Sequence, residues 1–194
     1  MDKSKGLSAD IARRIKPSYY ENYYGEGIPF TSETAYWNSA DFVEGIRHFI
    51  DKEDMTFLDM GAGTGAIVKL MREYGVDAEG YELNRYALDN AEIDIIERDI
   101  TEPFLKEYDV VYSNAFMYFS TEDFHKFFEN NRDKFKVLVL VYPFEGNGDA
   151  YRVNMLTRQM FYDIAKDYQI KAYNEEVGWL VMIKEEDVDD LPFR

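Results

Sequence analysis

The chain contains no cysteine and only two histidines, His48 and His125, among its 194 residues. Disulfides, thiolate zinc sites, iron–sulfur clusters and cysteine nucleophiles are therefore excluded, and two histidines are too few for a histidine-rich metal centre. The longest apolar run, Val137 to Phe144, is far shorter than the roughly 20 residues that cross a bilayer. The first ten residues contain no apolar segment of the kind found in signal peptides. We therefore expect a soluble, cytoplasmic protein that holds no metal.

Basic residues are also scarce, because 22 lysines and arginines face 38 aspartates and glutamates and the net charge is −16. A field of this sign repels a phosphate backbone and attracts cationic partners. The charge therefore favours a small molecule or a basic protein as partner over nucleic acid. Residues 1–16 are the exception, with five basic and two acidic residues. They leave open an alternative in which this segment contacts phosphates.

The length and the composition, with 46% hydrophobic residues, predict one folded domain with a full core. We expect a helical, tyrosine-rich extension at residues 1–50, a ligand-binding domain at 51–184 and an acidic tail at 185–194. Within the extension, four tyrosines between positions 19 and 24 precede Gly25 and Gly27. This segment is either a lid over a site or packing against a predicted helix at 34–50.

From Met55 onward, short apolar runs alternate with segments of helical periodicity. A connection of only about five residues separates the last two runs, so these must pair as an antiparallel hairpin. The pattern predicts an α/β fold: a doubly wound, mostly parallel seven-stranded sheet with one reversed strand. The predicted strands are 55–60, 78–82, 93–97, 108–113, 136–142, 169–173 and 179–184. The predicted helices are 66–74, 84–90, a helix from Ser120 or Thr121 that buries Phe124, Phe127, Phe128 and Phe135, and a long helix in which Val153, Leu156, Met160, Ile164 and Tyr168 recur at helical spacing.

The turn after the first strand reads Asp59-Met60-Gly61-Ala62-Gly63-Thr64-Gly65. Glycines allow a tight turn and let the backbone approach a ligand, and the following helix offers unpaired N–H groups. Ligands of doubly wound sheets bind at this edge. The loop fits two patterns: a dinucleotide fingerprint with Glu82 at the position that binds ribose, or a D-x-G-x-G-x-G motif.

The second pattern resembles the first motif of class I S-adenosylmethionine-dependent methyltransferases. Asp59 stands where that family has an acidic residue and dinucleotide-binding proteins usually have an apolar one. Asp99, after the third strand, matches an acidic or polar residue beside the adenine amino group. The predicted five β-α units with a final reversed hairpin also match the family's topology. The resemblance spans about Met55 to Lys184 and implies a methyltransferase with S-adenosylmethionine as cofactor.

The resemblance also implies which residues form the site. On the substrate side, Asn114 and Tyr118 follow the fourth strand and are the candidate catalytic contacts. Ser113 and Phe116 match the ends of a motif for methylating amide or exocyclic amino groups, but Asn114 and Ala115 replace its two prolines. The implied cofactor contacts are Asp59, Gly61, Ala62, Gly63, Gly65, Glu82, Leu83, Asp99, Ile100 and Asn114.

Three functions stay open at this stage. The first is a methyltransferase that acts by in-line displacement on a small molecule or a protein. The second is a methyltransferase-like module that binds the cofactor and regulates a partner without turnover. The third is a nicotinamide-dependent oxidoreductase built on the same loop. No residue in the sequence identifies a general base, and we assign no role to His48 or His125.

Overall fold

The computed structural model describes residues 54–113, 119–141, 158–173 and 179–184, and these form an α/β fold around a sheet. A short 3-10 helix, Arg132–Lys134, links the third helix to the fifth strand. The strands are β1 Thr56–Met60, β2 Asp77–Glu82, β3 Ile96–Glu97, β4 Tyr108–Ser113, β5 Phe135–Val141, β6 Ile170–Tyr173 and β7 Trp179–Lys184. The helices are α1 Ala66–Glu73, α2 Arg85–Asp89, α3 Thr121–Asn131 and α4 Arg158–Asp167.

Strands β1 to β5 form a parallel sheet in the order β3-β2-β1-β4-β5. The chain builds outward from β1 through β2 to β3, then returns to the other side of β1 to add β4 and β5. The strand order therefore reverses between β1 and β4. Ligands of open α/β sheets bind in the crevice beyond the carboxyl ends of the strands at such a point. The predicted parallel α/β fold is confirmed, and it places the glycine loop beside this crevice.

Hydrophobic residues on alternate positions of the strands pack against helices on both faces. Phe57 of β1 faces α1, where Val68 and Met71 are fully buried. The next residue, Leu58, faces the aromatic core formed by α3 together with α4. Asp59 follows the same alternation and therefore lies on the α1 side of the sheet.

A buried carboxylate joins three strands at their amino-terminal half. Asp109 of β4 accepts hydrogen bonds from the backbone N–H and the hydroxyl of Thr56 in β1, at 2.9 and 3.0 Å. Lys136 of β5 lies 2.8 Å from the other oxygen of Asp109. Asp109 is 4% exposed and its bonds to Thr56 are therefore largely shielded from water, whereas the Lys136 side chain reaches it from the exposed side. They hold β1 in register with β4 and so support the loop at the opposite end of β1.

The strand boundary near residue 93 and the helix boundary near residue 135 differ from the sequence predictions. The third strand was expected from residue 93, but β3 contains only Ile96 and Glu97, because Ile93 and Ile95 instead pack into the core beside α1. Phe135 was expected on the buried side of a helix. The helix ends at Asn131, and Phe135 begins β5, where its ring stacks 6.1 Å from that of Phe127. Ile93, Ile95 and Phe135 can be buried equally well in a strand, in a helix or in a loop. The hydrophobic pattern alone therefore could not decide between these conformations.

The predicted extension at 1–50 and tail at 185–194 lie outside the described residues, as does the start of the long helix near Val153. The described part of that helix, α4, ends at Asp167, so Tyr168 lies in the following turn. Gln169 has a positive φ of 59° and lies in the turn rather than in β6. Across the part of the chain that the structure describes, no helix is long and apolar enough to cross a membrane.

Gly80 of β2 supports the glycine loop from behind, and a larger residue should destabilise the fold. A Cβ atom at this position would lie 2.7 Å from the Cβ of Ala62 and 2.8 Å from Cδ1 of Ile95. We expect Gly80→Ala to lower the free energy of unfolding by about 1–3 kcal/mol, measured by urea denaturation. Asp77→Ala, on the exposed end of the same strand, should change it by less than about 1 kcal/mol. Equal midpoints for Gly80→Ala and wild type would contradict the packing.

Candidate functional site

The glycine loop, residues 61–65, turns sharply from β1 towards β2. The backbone N–H groups of Gly61 and Ala62 both donate to the carbonyl of Tyr81, at 2.9 and 3.0 Å. Gly61, Gly63 and Gly65 have φ angles of 77°, 57° and 89°. Residues with a Cβ atom rarely adopt this left-handed region of the backbone. The three glycines are therefore required by the path of the backbone, independently of any ligand.

The loop then continues directly into α1. Gly65 occupies the N-cap position without a side-chain hydrogen bond, and the first turn of the helix contains no acidic residue. A Cβ atom at Gly65 would lie 2.8 Å from Cγ1 of Ile93, so the loop also packs closely against the chain before β3. The short β3 and the loop are thus parts of one packed unit.

Glu82, the last residue of β2, fastens the loop to the end of its strand. Its Oε2 accepts a hydrogen bond from the N–H of Gly63 at 2.8 Å. Its Oε1 accepts from the N–H groups of Leu83 and Asn84 at 2.7 and 2.8 Å. The residue is only 6% exposed. The carboxylate therefore replaces water as the partner of three backbone donors at the edge of the sheet.

Asp59 is a second buried carboxylate at the same place. The residue is 2% exposed and lies on β1, one residue before the strand ends. Burial, with a further contribution from the negative charge of Glu82, raises the pKa of Asp59 to about 8. Near neutral pH the free protein therefore holds a proton on Asp59 while Glu82 is surrounded by N–H donors.

The ion pairs among the described residues lie away from these two carboxylates, since none of them includes Asp59 or Glu82. The described residues also contain no group of three or more histidines and carboxylates arranged to hold a metal ion. The described side chains at the loop are thus acidic, and the N–H groups of Gly61, Ala62, Gly63 and Gly65 already donate to acceptors within the protein. Such a site suits a ligand that carries hydroxyl donors and a positive charge, and it offers no basic side chain to a phosphate.

Asp99 and Ile100 follow β3 at the neighbouring strand end. The N–H of Arg98 donates to the carbonyl of Glu82 at 3.0 Å, which places this segment beside the end of β2. One oxygen of Asp99, Oδ1, accepts from both the N–H and the hydroxyl of Thr101, each at 2.8 Å. The turn orients the carboxylate and leaves its other oxygen outside these bonds.

The structure brings together most of the residues expected at the cofactor site. Direct hydrogen bonds link Gly63, Glu82 and Leu83, and the electrostatic influence of Glu82 reaches Asp59. Backbone bonds join Gly61 and Ala62 to β2, and the residue before Asp99 to Glu82. The predicted substrate-side residues Asn114 and Tyr118 and the tyrosines at 19–24 lie outside the described residues.

The supporting roles of three residues were not recognised from the sequence. Asn84 is buried and caps α2 by accepting from the N–H of Ala87 at 3.2 Å, a role that asparagine before a helix could have indicated. Thr101 orients Asp99 as described above, and the spacing of an aspartate two residues before a threonine was an available signal. Ser113 donates its hydroxyl to the carbonyl of Met60 at 2.7 Å. No sequence signal could have indicated that contact, because it joins β4 to β1.

The amino-acid chain matches the family model described as a methyltransferase domain over residues 34–162. A comparison with curated proteins gave no match. Solved structures with the same fold include DesVI from Streptomyces venezuelae, at 16% identity and a TM-score of 0.66, covering 86% of this chain and 96% of that one. Magnesium protoporphyrin IX methyltransferase from Synechocystis PCC 6803 with bound SAM has 14% identity and a TM-score of 0.67, covering 95% and 98%. CalS10 from Micromonospora echinaspora, also SAM-bound, has 17% identity and a TM-score of 0.61, covering 79% and 96%.

The raised pKa of Asp59 predicts how stability depends on pH. Between the unfolded pKa near 4 and the folded pKa of about 8, the folded state holds a proton that the unfolded state has lost. The free energy of unfolding should therefore fall as the pH rises through this range, by up to about 1.4 kcal/mol per unit, and the contribution should level off above pH about 8. Asp59→Asn should lack this decline.

Urea unfolding of both proteins at intervals from pH 5 to 9 measures the effect. The difference between Asp59→Asn and wild type should grow with pH and then become constant. If the free energies of unfolding of the two proteins changed in parallel across this pH range, the pKa of Asp59 would not be raised by its burial.

Proposed function

Because the chain belongs to the methyltransferase-domain family, we propose that it transfers the methyl group of S-adenosylmethionine to a small-molecule acceptor. It is a class I S-adenosylmethionine-dependent methyltransferase, as the sequence motif predicted. The observation that carries the proposal is the buried pair of carboxylates beside the glycine loop, Asp59 and Glu82. Membership of the family does not identify the acceptor, so the small-molecule acceptor is proposed on separate grounds.

S-adenosylmethionine supplies an electrophilic methyl group on a sulfonium, and the described residues fit its chemistry. Glu82 can accept from the ribose through the lone pair that its backbone bonds leave on Oε2. Asp59, buried on β1, is suited to the positive methionine end of the cofactor. Asp99 and Ile100 are proposed to border the adenine, with Oδ2 of Asp99 towards the amino group.

The same residues argue against the oxidoreductase alternative. A dinucleotide carries a pyrophosphate, whose negative charge would lie against the loop beside the acidic side chains of Asp59 and Glu82 and would oppose ionisation of Asp59. A sulfonium cation in that place is instead stabilised by them. An ionised Asp59 would gain a counter-charge there, which offsets the desolvation that raises its pKa in the free protein.

Methyl transfer needs little acid–base chemistry from the protein. The acceptor atom attacks the methyl carbon, the bond from that carbon to the sulfonium sulfur breaks and a neutral thioether leaves, so holding the acceptor in line with the methyl group supplies much of the acceleration. An acceptor that arrives protonated must also give its proton to a base such as water. We propose that Asn114 and Tyr118, which follow β4 in the sequence, contact the acceptor. The tyrosine-rich extension at residues 1–50 remains a proposed lid over the site.

A small-molecule acceptor is supported by the relatives and by charge. The names of two structural neighbours describe a magnesium protoporphyrin IX methyltransferase and an amino pentose methyltransferase. The net charge of −16 disfavours nucleic acid as the acceptor. The same charge favours a basic protein side chain as the second candidate acceptor.

We further propose that the domain has the full seven-stranded sheet with β7 as its single reversed strand. Antiparallel registers support this: Val139 of β5 pairs with Val181 of β7, and Ala172 of β6 pairs with Met182. The order that results is β3-β2-β1-β4-β5-β7-β6. The short connection between β6 and β7 is consistent with a hairpin.

The glycine loop provides a matched test of cofactor binding. Gly63 and Gly75 both have positive φ angles, 57° and 77°, but a Cβ atom at Gly75 would meet no atom within 4 Å. Gly63→Ala should weaken S-adenosylhomocysteine binding at least about tenfold by isothermal calorimetry, because the side chain strains and blocks the loop. Gly75→Ala carries the same backbone strain away from the loop and should bind like wild type. Equal affinities in the two variants would place the cofactor elsewhere.

The class of acceptor can be tested by measuring S-adenosylhomocysteine release with a panel of substrates. We expect turnover with small amines, alcohols or carboxylic acids, and no turnover with tRNA or duplex DNA. Salt-sensitive binding of either nucleic acid, abolished by deleting residues 1–16, would overturn the assignment, since counterion release is the signature of phosphate contacts. Cofactor binding without turnover on any acceptor would instead favour the regulatory module.

A further inference from the structure

Residues 98–105, between β3 and β4, form a turn that carries Asp99 and is held largely by side chains. Peptide groups within a sheet pair with a neighbouring strand, but this Asp99 turn begins where β3 has ended. Side chains bind five of its backbone groups: the carbonyls of Thr101, Glu102 and Pro103 and the N–H groups of Phe104 and Leu105. The position of the Asp99 turn therefore depends on these side chains.

Asn131, the last residue of α3, makes two of the five bonds. Its Oδ1 accepts from the N–H of Phe104 at 2.7 Å, and its Nδ2 donates to the carbonyl of Glu102 at 3.0 Å. The ring of Phe127, one helical turn before Asn131, lies 5.9 Å from that of Phe104 and packs α3 against the same turn. Asn131 is 0% exposed, so water does not readily replace its amide as a partner.

The neighbouring Asn130 extends these contacts to the residue that orients Asp99. Nδ2 of Asn130 donates to the carbonyl of Thr101 at 2.8 Å. Thr101 in turn donates its N–H and its hydroxyl to Oδ1 of Asp99, each at 2.8 Å. A continuous series of hydrogen bonds thus leads from the end of α3 to the carboxylate of Asp99.

We propose that Asn131, together with Asn130, is a positioning residue for the cofactor: it holds the Asp99 turn in place and thereby directs Asp99 to the adenine amino group. The inference rests on the proposed function, in which Oδ2 of Asp99 faces that group. The bonds from Thr101 use only Oδ1. Because a hydrogen bond weakens steeply as its distance and angle change, a displaced turn loses this bond first. In this role neither asparagine needs to contact the cofactor.

Two ligands separate a positioning role from a purely structural one. S-adenosylhomocysteine carries the adenine amino group, and its 6-deamino analogue carries a hydrogen atom in the same place. Hydrogen bonds to a carboxylate are among the stronger ones, and the analogue cannot form this one. We therefore expect the wild-type protein to bind S-adenosylhomocysteine at least about tenfold more tightly than the 6-deamino analogue.

Asn131→Leu removes both bonds to the Asp99 turn and keeps a side chain of similar size without adding a charge. The ratio of the two affinities should fall below about threefold, because Asp99 is no longer held towards the amino group. The affinity for the 6-deamino analogue should stay within about threefold of wild type, since that ligand does not use the bond. A residue that only stabilised the fold would change both affinities together and leave their ratio intact.

Two further variants make the test decisive. Asn130 is only half-buried, so Asn130→Leu replaces Asn131→Leu as the deciding variant if the latter does not fold, and its ratio should fall at least about threefold. Asn90 is the matched control, because its Nδ2 donates to the carbonyl of Tyr86 at 2.8 Å at the exposed end of α2. Asn90→Leu removes the same kind of bond outside the Asp99 turn and should keep both affinities within about twofold of wild type.

Isothermal calorimetry with the full chain measures both affinities, and circular dichroism shows which variants are folded. An unchanged ratio in the deciding variant would overturn the proposal. Equal binding of the two ligands by wild type, or a ratio reduced as much by Asn90→Leu, would also overturn it. In each of these cases S-adenosylhomocysteine still binds, and the methyltransferase function stands. No binding of S-adenosylhomocysteine by wild type would overturn the proposed function, and the inference with it.

Discussion

The site depends on one buried carboxylate that binds backbone donors from two different segments. Glu82 accepts from Gly63 in the loop and from Leu83 and Asn84 after β2. Without it, three N–H groups at the edge of the sheet would lack partners where water has little access. The glycine loop and the end of β2 are therefore one structural unit.

This arrangement places two acidic side chains, Asp59 and Glu82, beside the glycine loop. Glu82 accepts hydrogen bonds from three backbone N–H groups, whereas burial raises the pKa of Asp59 to about 8. The two side chains thus lie in different surroundings although they are close together. Protonation of Asp59 avoids placing its negative charge in a buried position next to Glu82.

The support for the loop comes from strands that are distant in sequence. Asp109 and Lys136 fix β1 against β4 and β5 at one end, and Ser113 links β4 to the last carbonyl of β1 at the other. Gly80 and Ile95 fill the space behind the loop. The precision of a site at a strand end derives from these contacts between neighbouring strands rather than from the glycine motif itself.

The sequence by itself determined the alternation of strands and helices and the parallel α/β fold, because these depend on local hydrophobic periodicity. It also indicated the family, because the motif depends on the spacing of Asp59, the glycines and Glu82. The short β3 and the position of Phe135 could not be read this way, since apolar residues satisfy several conformations equally. Only the tertiary structure decided how Glu82 divides its lone pairs, how burial changes the protonation of Asp59 and which serine closes β4 against β1. Each of these follows from atoms brought together across the sheet, and hydrogen bonding and desolvation depend on such distances and not on sequence spacing.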